Sequence, residues 1–133
     1  MLTVSCDGGA RGNPGPAAYG FVVKDGQQIL KKGKGYIGTA TNNFAEYTAI
    51  LEAFKYLEKT HKGENLEFFL DSLLAASQLN GTFKVKNANI REFLVKIREL
   101  EVEFGQIRYN HIPREQNKEA DALVNEALDS HGY

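Results

Sequence analysis

Four acidic side chains occupy positions where an ordinary surface carboxylate is not expected: Asp7, Glu46, Asp71 and Asp121. Asp7 follows a short alternating run and precedes a glycine-rich stretch, and Asp71 follows the apolar run Phe68-Phe69-Leu70. In sheets with helical crossovers, binding sites form at the carboxyl ends of strands. Two strands that each end in an aspartate therefore indicate a site where carboxylates converge.

Convergent carboxylates would support metal-assisted chemistry, because their mutual repulsion has to be compensated by cations. Ligands that are all oxygen atoms select hard ions such as Mg²⁺ or Mn²⁺. Zinc is not favoured, because the sequence has a single cysteine, Cys6, and no cluster of cysteines and histidines. Two hard ions held about 4 Å apart can activate a water and stabilise the leaving oxygen in phosphodiester hydrolysis.

Three of the four acids also have an ordinary structural explanation, and for Asp7 it is that of a turn former at the end of a strand. Asp71 would serve as the cap of a helix after it, and Asn43 followed by Glu46 resembles a capping box. Asp121 is harder to explain in this way, because Val124 places it on a helix face that carries core residues. An ionised carboxylate on such a face is costly to bury without a compensating cation. The spacing alone leaves both explanations open.

The elements that must position these acids follow from the periodicity of the apolar residues. Strands are predicted over residues 2–7, 19–23, 28–37, 66–70 and 106–112, and helices from near 43 to 63 and over 72–79, 90–104 and 118–129. The hairpin signal Asp25-Gly26 joins the second and third strands, and the first three strands are expected to be antiparallel. The order predicts an α/β protein with a mixed sheet flanked by helices.

The size and composition of the chain indicate one domain over residues 1–133. With 133 residues, of which 42% are hydrophobic and 25% charged, it is an ordinary globular sequence. No stretch approaches the ~20 apolar residues of a spanning helix. The first residues lack the basic start and apolar run of a signal peptide. We therefore expect a cytoplasmic protein without membrane attachment.

The net charge of −1 gives no general surplus of basic side chains. Proteins that hold nucleic acid usually have such a surplus, because contacts to phosphates release counterions and drive binding. Any basic surface must here be local, and the candidates are the run of lysines within 31–34 and the pair Lys84 and Lys86. Taken alone, both groups are better explained as solvated faces, so composition by itself does not suggest a nuclease.

Short motifs surround all four acids. They are Asp7 to Pro16 (DGGARGNPGP), Thr41 to Tyr47 (TNNFAEY), Asp71-Ser72, and His111 to Asp121 (HIPREQNKEAD). In this order and spacing they resemble the motifs of the type 1 ribonuclease H family, and together they cover nearly the whole chain. The resemblance implies a ribonuclease H-like fold, with a five-stranded mixed sheet in strand order 3-2-1-4-5 flanked by helices.

The resemblance also implies a metal-dependent endonuclease that hydrolyses the RNA strand of RNA/DNA hybrids, and we expect it to be a monomer. It would leave 3′-hydroxyl and 5′-phosphate ends. Two Mg²⁺ ions, or Mn²⁺, would be held together with the substrate by the catalytic carboxylates Asp7, Glu46, Asp71 and Asp121. His111 would help to release the product, since a histidine suits proton movement near neutral pH. Arg114 would share that role or hold a phosphate.

A further set of residues is implied to contact the substrate: Gly8, Gly9, Asn13, Thr41, Asn42, Asn43, Ser72, Arg114 and Asn117. Glycines let the backbone approach a ribose, so that the 2′-hydroxyl that distinguishes RNA from DNA can be recognised. The compact asparagine amides suit minor-groove edges, and Thr41 suits a phosphate of the DNA strand. Turns and helix caps explain the asparagines equally well.

Two departures from the family pattern affect the expected strength of binding. Leu73 stands where many relatives carry a polar residue, and residues 78–86 are too short for the basic insertion of some members. With the net charge of −1, this predicts weak, salt-sensitive binding of substrate. Two alternatives stay open: a nucleic-acid-binding module of the same fold without useful activity, and the same chemistry on double-stranded RNA.

Overall fold

The computed structural model describes every residue from 1 to 133, and five of its segments form one sheet. The strands are β1 (Leu2–Ala10), β2 (Gly15–Asp25), β3 (Gln28–Ala40), β4 (Leu66–Leu70) and β5 (Ile107–His111). Their order is β3-β2-β1-β4-β5, with β1, β2 and β3 antiparallel and with β1, β4 and β5 parallel. The predicted five-stranded mixed sheet and its strand order are confirmed.

Four helices flank this sheet: α1 (Asn42–Thr60), α2 (Leu73–Leu79), α3 (Ala88–Glu101) and α4 (Lys118–Ser130). A 3₁₀ turn, Arg114–Gln116, precedes α4. The larger core joins α1, α2 and α3 to the sheet, and a smaller apolar cluster joins α4 to β2. None of these helices has the length and apolar character needed to cross a bilayer.

The apolar stripe of α1 provides much of the larger core. Tyr47, Ile50, Phe54 and Leu57 recur at the helical period, and all four are completely buried. Each such side chain contributes about 1.5–3 kcal/mol when it is removed from water. The stripe therefore fixes the rotation of α1 against the sheet, and with it the direction in which the remaining face of α1 points.

The first three strands are longer than the sequence predicted. β1 continues through Gly8, Gly9 and Ala10, which the prediction placed in a loop, because each of these residues pairs with a residue of β2. Glycine weakens a strand by its conformational freedom, but here the ladder to β2 supplies the order that the local sequence lacks. The glycine-rich motif consequently begins on a rigid strand.

The two capping explanations offered for the acids are wrong. The cap of α1 is Thr41, whose hydroxyl accepts the Phe44 N–H at 3.1 Å, and Asn43 lies within the helix. The cap of α2 is Ser72, whose hydroxyl accepts the Ala75 N–H at 3.1 Å. Neither the Glu46 carboxylate nor the Asp71 carboxylate therefore caps a helix.

Candidate active site

Three of the four predicted acids meet where β4 ends beside β1. One carboxylate oxygen each from Asp7, Glu46 and Asp71 lies within 4.8 Å of the other two. Asp7 and Asp71 are neighbours because Cys6 and Leu70, the residues before them, form the last pair of the parallel β1–β4 ladder. The convergence that spacing could not prove is thus present in the structure.

A close approach of α1 to β1 brings Glu46 into this group. A Cβ atom at Gly8 would lie 2.1 Å from the carbonyl carbon of Ala45, a distance that no side chain tolerates. Only glycine at this position lets the backbone of α1 rest against the strand. Glu46 is in consequence only 7% exposed and points toward Asp7 rather than into solvent.

Asp121 reaches the site by a second close approach, on the other side of β1. Asp7 pairs with Gly20 of β2, and a Cβ atom at Gly20 would lie 2.7 Å from the Cβ of Leu123 and 2.8 Å from the carbonyl oxygen of Ala120. The first turn of α4 therefore lies directly on the strand beside Asp7. Asp121 is half-buried and flanks the three-acid group without belonging to it.

Crowding of the carboxylates changes their proton affinity. Burial raises the pKa of Asp7 from its ordinary 3.8 to about 8, and the charge of Asp71 together with the hydrogen bond and charge of Asp121 adds to the effect. Burial also raises the pKa of Glu46, followed by the charges of Asp7 and Asp71. Such a group carries its full negative charge at neutral pH only when a cation compensates it.

The donor set fits a hard divalent cation. The Oε2 atom of Glu46 is buried and has no hydrogen-bond partner. A buried acceptor left unpaired is costly, and here it belongs to a group whose available ligand atoms are all carboxylate oxygens, the type that Mg²⁺ and Mn²⁺ prefer. Asp7, Glu46 and Asp71 could hold such an ion, with Asp121 available for a second.

Two of the predicted substrate-binding asparagines fasten the glycine-rich motif to α1. The Oδ1 of Asn13 accepts the Asn42 N–H at 3.0 Å, and the Oδ1 of Asn42 accepts the Ala10 N–H at 2.8 Å. Both side chains are exposed. Asn13 thus satisfies an N–H at the start of α1, as a cap does, whereas Asn42 joins α1 to β1 and is neither a turn nor a cap residue. The amide N–H groups of both side chains stay free to face a ligand.

A groove of about 650 Å³ lies beside the start of α1. Its lining includes Asn13, Thr41 and Asn43, which the motifs imply as substrate contacts, and also Asn87 and Asn89 at the start of α3. The two α3 asparagines were missed by the sequence analysis. Their only local signal is the Asn-x-Asn spacing of a helix start, where Asn87 caps α3, and such a signal does not reveal which distant residues they join.

The remaining predicted residues lie around the acids at different depths. Gly9 has space, since a Cβ atom there would meet nothing closer than 3.8 Å. His111 is exposed at the end of β5 and pairs with Leu70, the residue before Asp71. Arg114 is exposed, and its charge opposes the rise in the pKa of Asp7. Ser72 and Asn117 are instead engaged within the protein.

Comparisons with known proteins agree with this geometry. Residues 5–127 match the family model described as Reverse transcriptase-like. The chain is 42% identical over 124 residues to the Ribonuclease HI of Halobacterium salinarum, which covers 92% of this chain and 62% of that protein. It is 38% identical over 131 residues to a bifunctional protein of Mycobacterium tuberculosis, covering 97% of this chain and 36% of that protein. The chain thus spans less than two thirds of these relatives.

A solved structure resembles the whole chain. LC11-RNase H1, crystallised in complex with an RNA/DNA hybrid, superposes with a TM-score of 0.95 at 38% identity, and the match covers 100% of both chains. The similarity therefore extends over every element described above, including the strands and helices that carry the four acids.

Proposed function

Because the chain belongs to the reverse transcriptase-like family, together with type 1 ribonucleases H, we propose that it is an endonuclease that hydrolyses the RNA strand of RNA/DNA hybrids. The observation that carries the proposal is the convergence of Asp7, Glu46 and Asp71, with Asp121 beside them. The similarity to a ribonuclease H1 crystallised with such a hybrid supports the choice of substrate.

The four acids would hold two divalent ions, Mg²⁺ or Mn²⁺, when the hybrid is bound. Such ions supply activation of a water and stabilisation of the leaving oxygen in phosphodiester hydrolysis, and we expect 3′-hydroxyl and 5′-phosphate ends. The protein provides a rigid frame for this chemistry, since Asp7 lies on a central strand and Glu46 on a helix seated against it. Rigid placement of charged groups avoids reorganisation during the reaction.

The residues around the acids would orient the hybrid. The backbone at Gly9 is open enough to approach a ribose and its 2′-hydroxyl, which is the group that separates RNA from DNA. The groove lined by Asn13, Thr41 and Asn43 offers uncharged donors for the edges and the backbone of the strand paired to the RNA. Binding would thus depend on shape and hydrogen bonds more than on net charge.

Two exposed residues would act at the leaving group. His111 ends β5 next to the position of Asp71, and histidine is the side chain that most often transfers protons in catalysis. Arg114 lies close enough to affect the charge of Asp7, and its guanidinium suits a phosphate oxygen. We propose that these two side chains assist departure of the cleaved strand.

The proposal is tested with the purified chain and four end-labelled substrates: RNA annealed to DNA, RNA annealed to RNA, single-stranded RNA, and a hybrid labelled on its DNA strand. Each is incubated with Mg²⁺, Mn²⁺ or EDTA. We expect metal-dependent cutting of the RNA strand of the hybrid alone. The downstream fragment should carry a 5′-phosphate, so phosphatase treatment should change its mobility on a gel. Comparable cutting of the RNA duplex would broaden the substrate, and binding without cutting would contradict the enzymatic proposal.

A further inference from the structure

Asn117 differs from the other residues expected to touch the substrate because it is only 2% exposed. It lies between the 3₁₀ turn and α4, where its carbonyl oxygen accepts the Asp121 N–H at 3.1 Å. The side chain is buried and reaches the end of the β1–β4 ladder and the carboxylate of Asp71. A residue in this place cannot present its amide to a nucleic acid on the surface.

Both protons of the Asn117 amide are used inside the site. Nδ2 donates to the carbonyl oxygen of Cys6 at 2.8 Å and to Oδ2 of Asp71 at 3.1 Å. An asparagine amide has two donors, so no N–H remains for a ligand, while the Oδ1 atom is buried and has no partner. The Cys6 carbonyl immediately precedes Asp7, and it lies where the ladder between β1 and β4 ends.

The three contacts of Asn117 reach three of the four acids. The bond to Cys6 holds the strand just before Asp7, the bond to Asp71 orients that carboxylate directly, and the backbone bond anchors the first turn of α4, which carries Asp121. A compact neutral amide suits this position. A lysine or arginine would neutralise the acids and compete with a metal ion, and an aspartate would add a further negative charge.

We propose that Asn117 is a positioning residue that holds Asp7, Asp71 and Asp121 in the arrangement that binds the metal ions, and that it does not contact the substrate. The proposal rests on the proposed function for its catalytic consequence. Partners that orient metal ligands from outside typically account for roughly 10–100-fold in metal affinity or activity. The metal-binding effect can be measured without any substrate.

The test uses Asn117→Ala and Asn117→Leu, the second because the branched leucine side chain matches asparagine in shape and lacks its donors. The control is Asn80→Ala, which removes a similar bond, 3.0 Å from Nδ2 to the carbonyl oxygen of Tyr109, away from the acids. Three quantities are measured on the full chain: Mn²⁺ affinity by calorimetry, kcat and KM on the hybrid, and the thermal unfolding midpoint.

We expect Mn²⁺ affinity and kcat to fall roughly 10–100-fold in both Asn117 variants, with KM for the hybrid changed less than about twofold. Asn80→Ala should lose stability only.

A raised KM with unchanged Mn²⁺ affinity would overturn the proposal in favour of substrate contact. Equal losses in Asn80→Ala, or failure of both Asn117 variants to fold, would assign a purely structural role. Absence of hybrid cleavage by the wild-type protein would count against the proposed function, while the Mn²⁺ titration would still decide the role of Asn117.

Discussion

The acids of α4 differ sharply according to the side of the helix on which they lie. On the outer side, Glu119, Glu126 and Asp129 pair with Lys24, Lys34 and Arg11 respectively. On the inner side, Asp121 faces Asp7, and the adjoining group contains no lysine or arginine in a salt bridge. Each surface acid of α4 is thus paired with a basic side chain, whereas the converging acids form no salt bridge and the only basic charge that acts on Asp7 is that of Arg114.

The net charge of −1 therefore conceals two kinds of acid, those that are paired at the surface and those that converge without a salt bridge. Exposed ion pairs contribute little, about 0–1 kcal/mol each, and their loss is tolerated. Buried carboxylates without partners are costly to ionise in the free protein, as the raised pKa of Asp7 reflects, and a bound cation would compensate their charge. The proposed metal binding therefore relies on the converging acids, where the burial of negative charge is least favourable.

The largest expected effect is a loss of hybrid cleavage when one of the converging acids is replaced. Glu46→Gln removes the buried carboxylate whose Oε2 has no partner, and we expect hybrid cleavage to fall about a thousandfold, equivalent to about 4 kcal/mol of lost transition-state stabilisation. Glu126→Gln makes the same change in a surface pair and should alter cleavage less than about twofold. Single-turnover assays of both variants check this, and equal losses would remove the distinction between the two sides.

A second effect appears in the pH dependence of the free energy of unfolding without metal. Asp7 keeps its proton in the folded chain up to about pH 8, whereas in the unfolded chain it loses it near pH ~4. Between these values the folded state holds more protons, so the free energy of unfolding falls as pH rises, by at most about 1.4 kcal/mol per pH unit for one proton.

Urea unfolding in EDTA at several pH values between about pH 5 and about pH 8 measures this slope. Asp7→Asn should make the slope shallower, and Asp25→Asn, an exposed acid in the β2–β3 turn, should leave it unchanged. Saturating Mg²⁺ should also flatten the slope in the wild-type protein, because the bound ion favours the charged carboxylates. A wild-type slope that Asp7→Asn does not change would contradict the assignment of the raised pKa to Asp7.

The smallest expected effect concerns the outer pairs. A double-mutant cycle on Lys24 and Glu119 should give a coupling free energy of about 0.2–1 kcal/mol that decreases as salt is added. Urea unfolding of the two single variants and the double variant gives this value. A coupling of several kcal/mol would mean that the surface pairs also carry much of the stability, and the contrast with the inner acids would then be weaker.

The fold was largely predictable because its signals are local. The stripe from Tyr47 to Leu57 fixes a helix by its spacing, and the apolar run from 66 to 70 fixes a buried strand with the bounds that the structure has. The errors lie where contacts with other residues, and not the local pattern, determine the structure. Gly8 to Ala10 are a strand only because β2 pairs with them, and Asn43 does not cap α1 because Thr41 does.

The acids of the site were predictable from the sequence, but the residues that hold them in place were less so. The motifs named Asp7, Glu46 and Asp71 correctly as a converging group. The burial of Asn117 was not predictable, because an asparagine in a motif can face either a ligand or the interior, and the choice depends on how α4 packs against β1. The contribution of Asn87 to the groove likewise depends on contacts between segments far apart in sequence.

The most direct test of the account is hybrid cleavage as a function of Mg²⁺ concentration by the wild-type protein, Asp7→Asn and Asp25→Asn. If the buried acids hold the ions required for catalysis, the wild-type protein and Asp25→Asn will cleave the RNA strand with the same Mg²⁺ dependence. Asp7→Asn will then show no cleavage at any concentration. Cleavage by Asp7→Asn at the wild-type rate, or wild-type cleavage that persists in EDTA, would contradict the central claim.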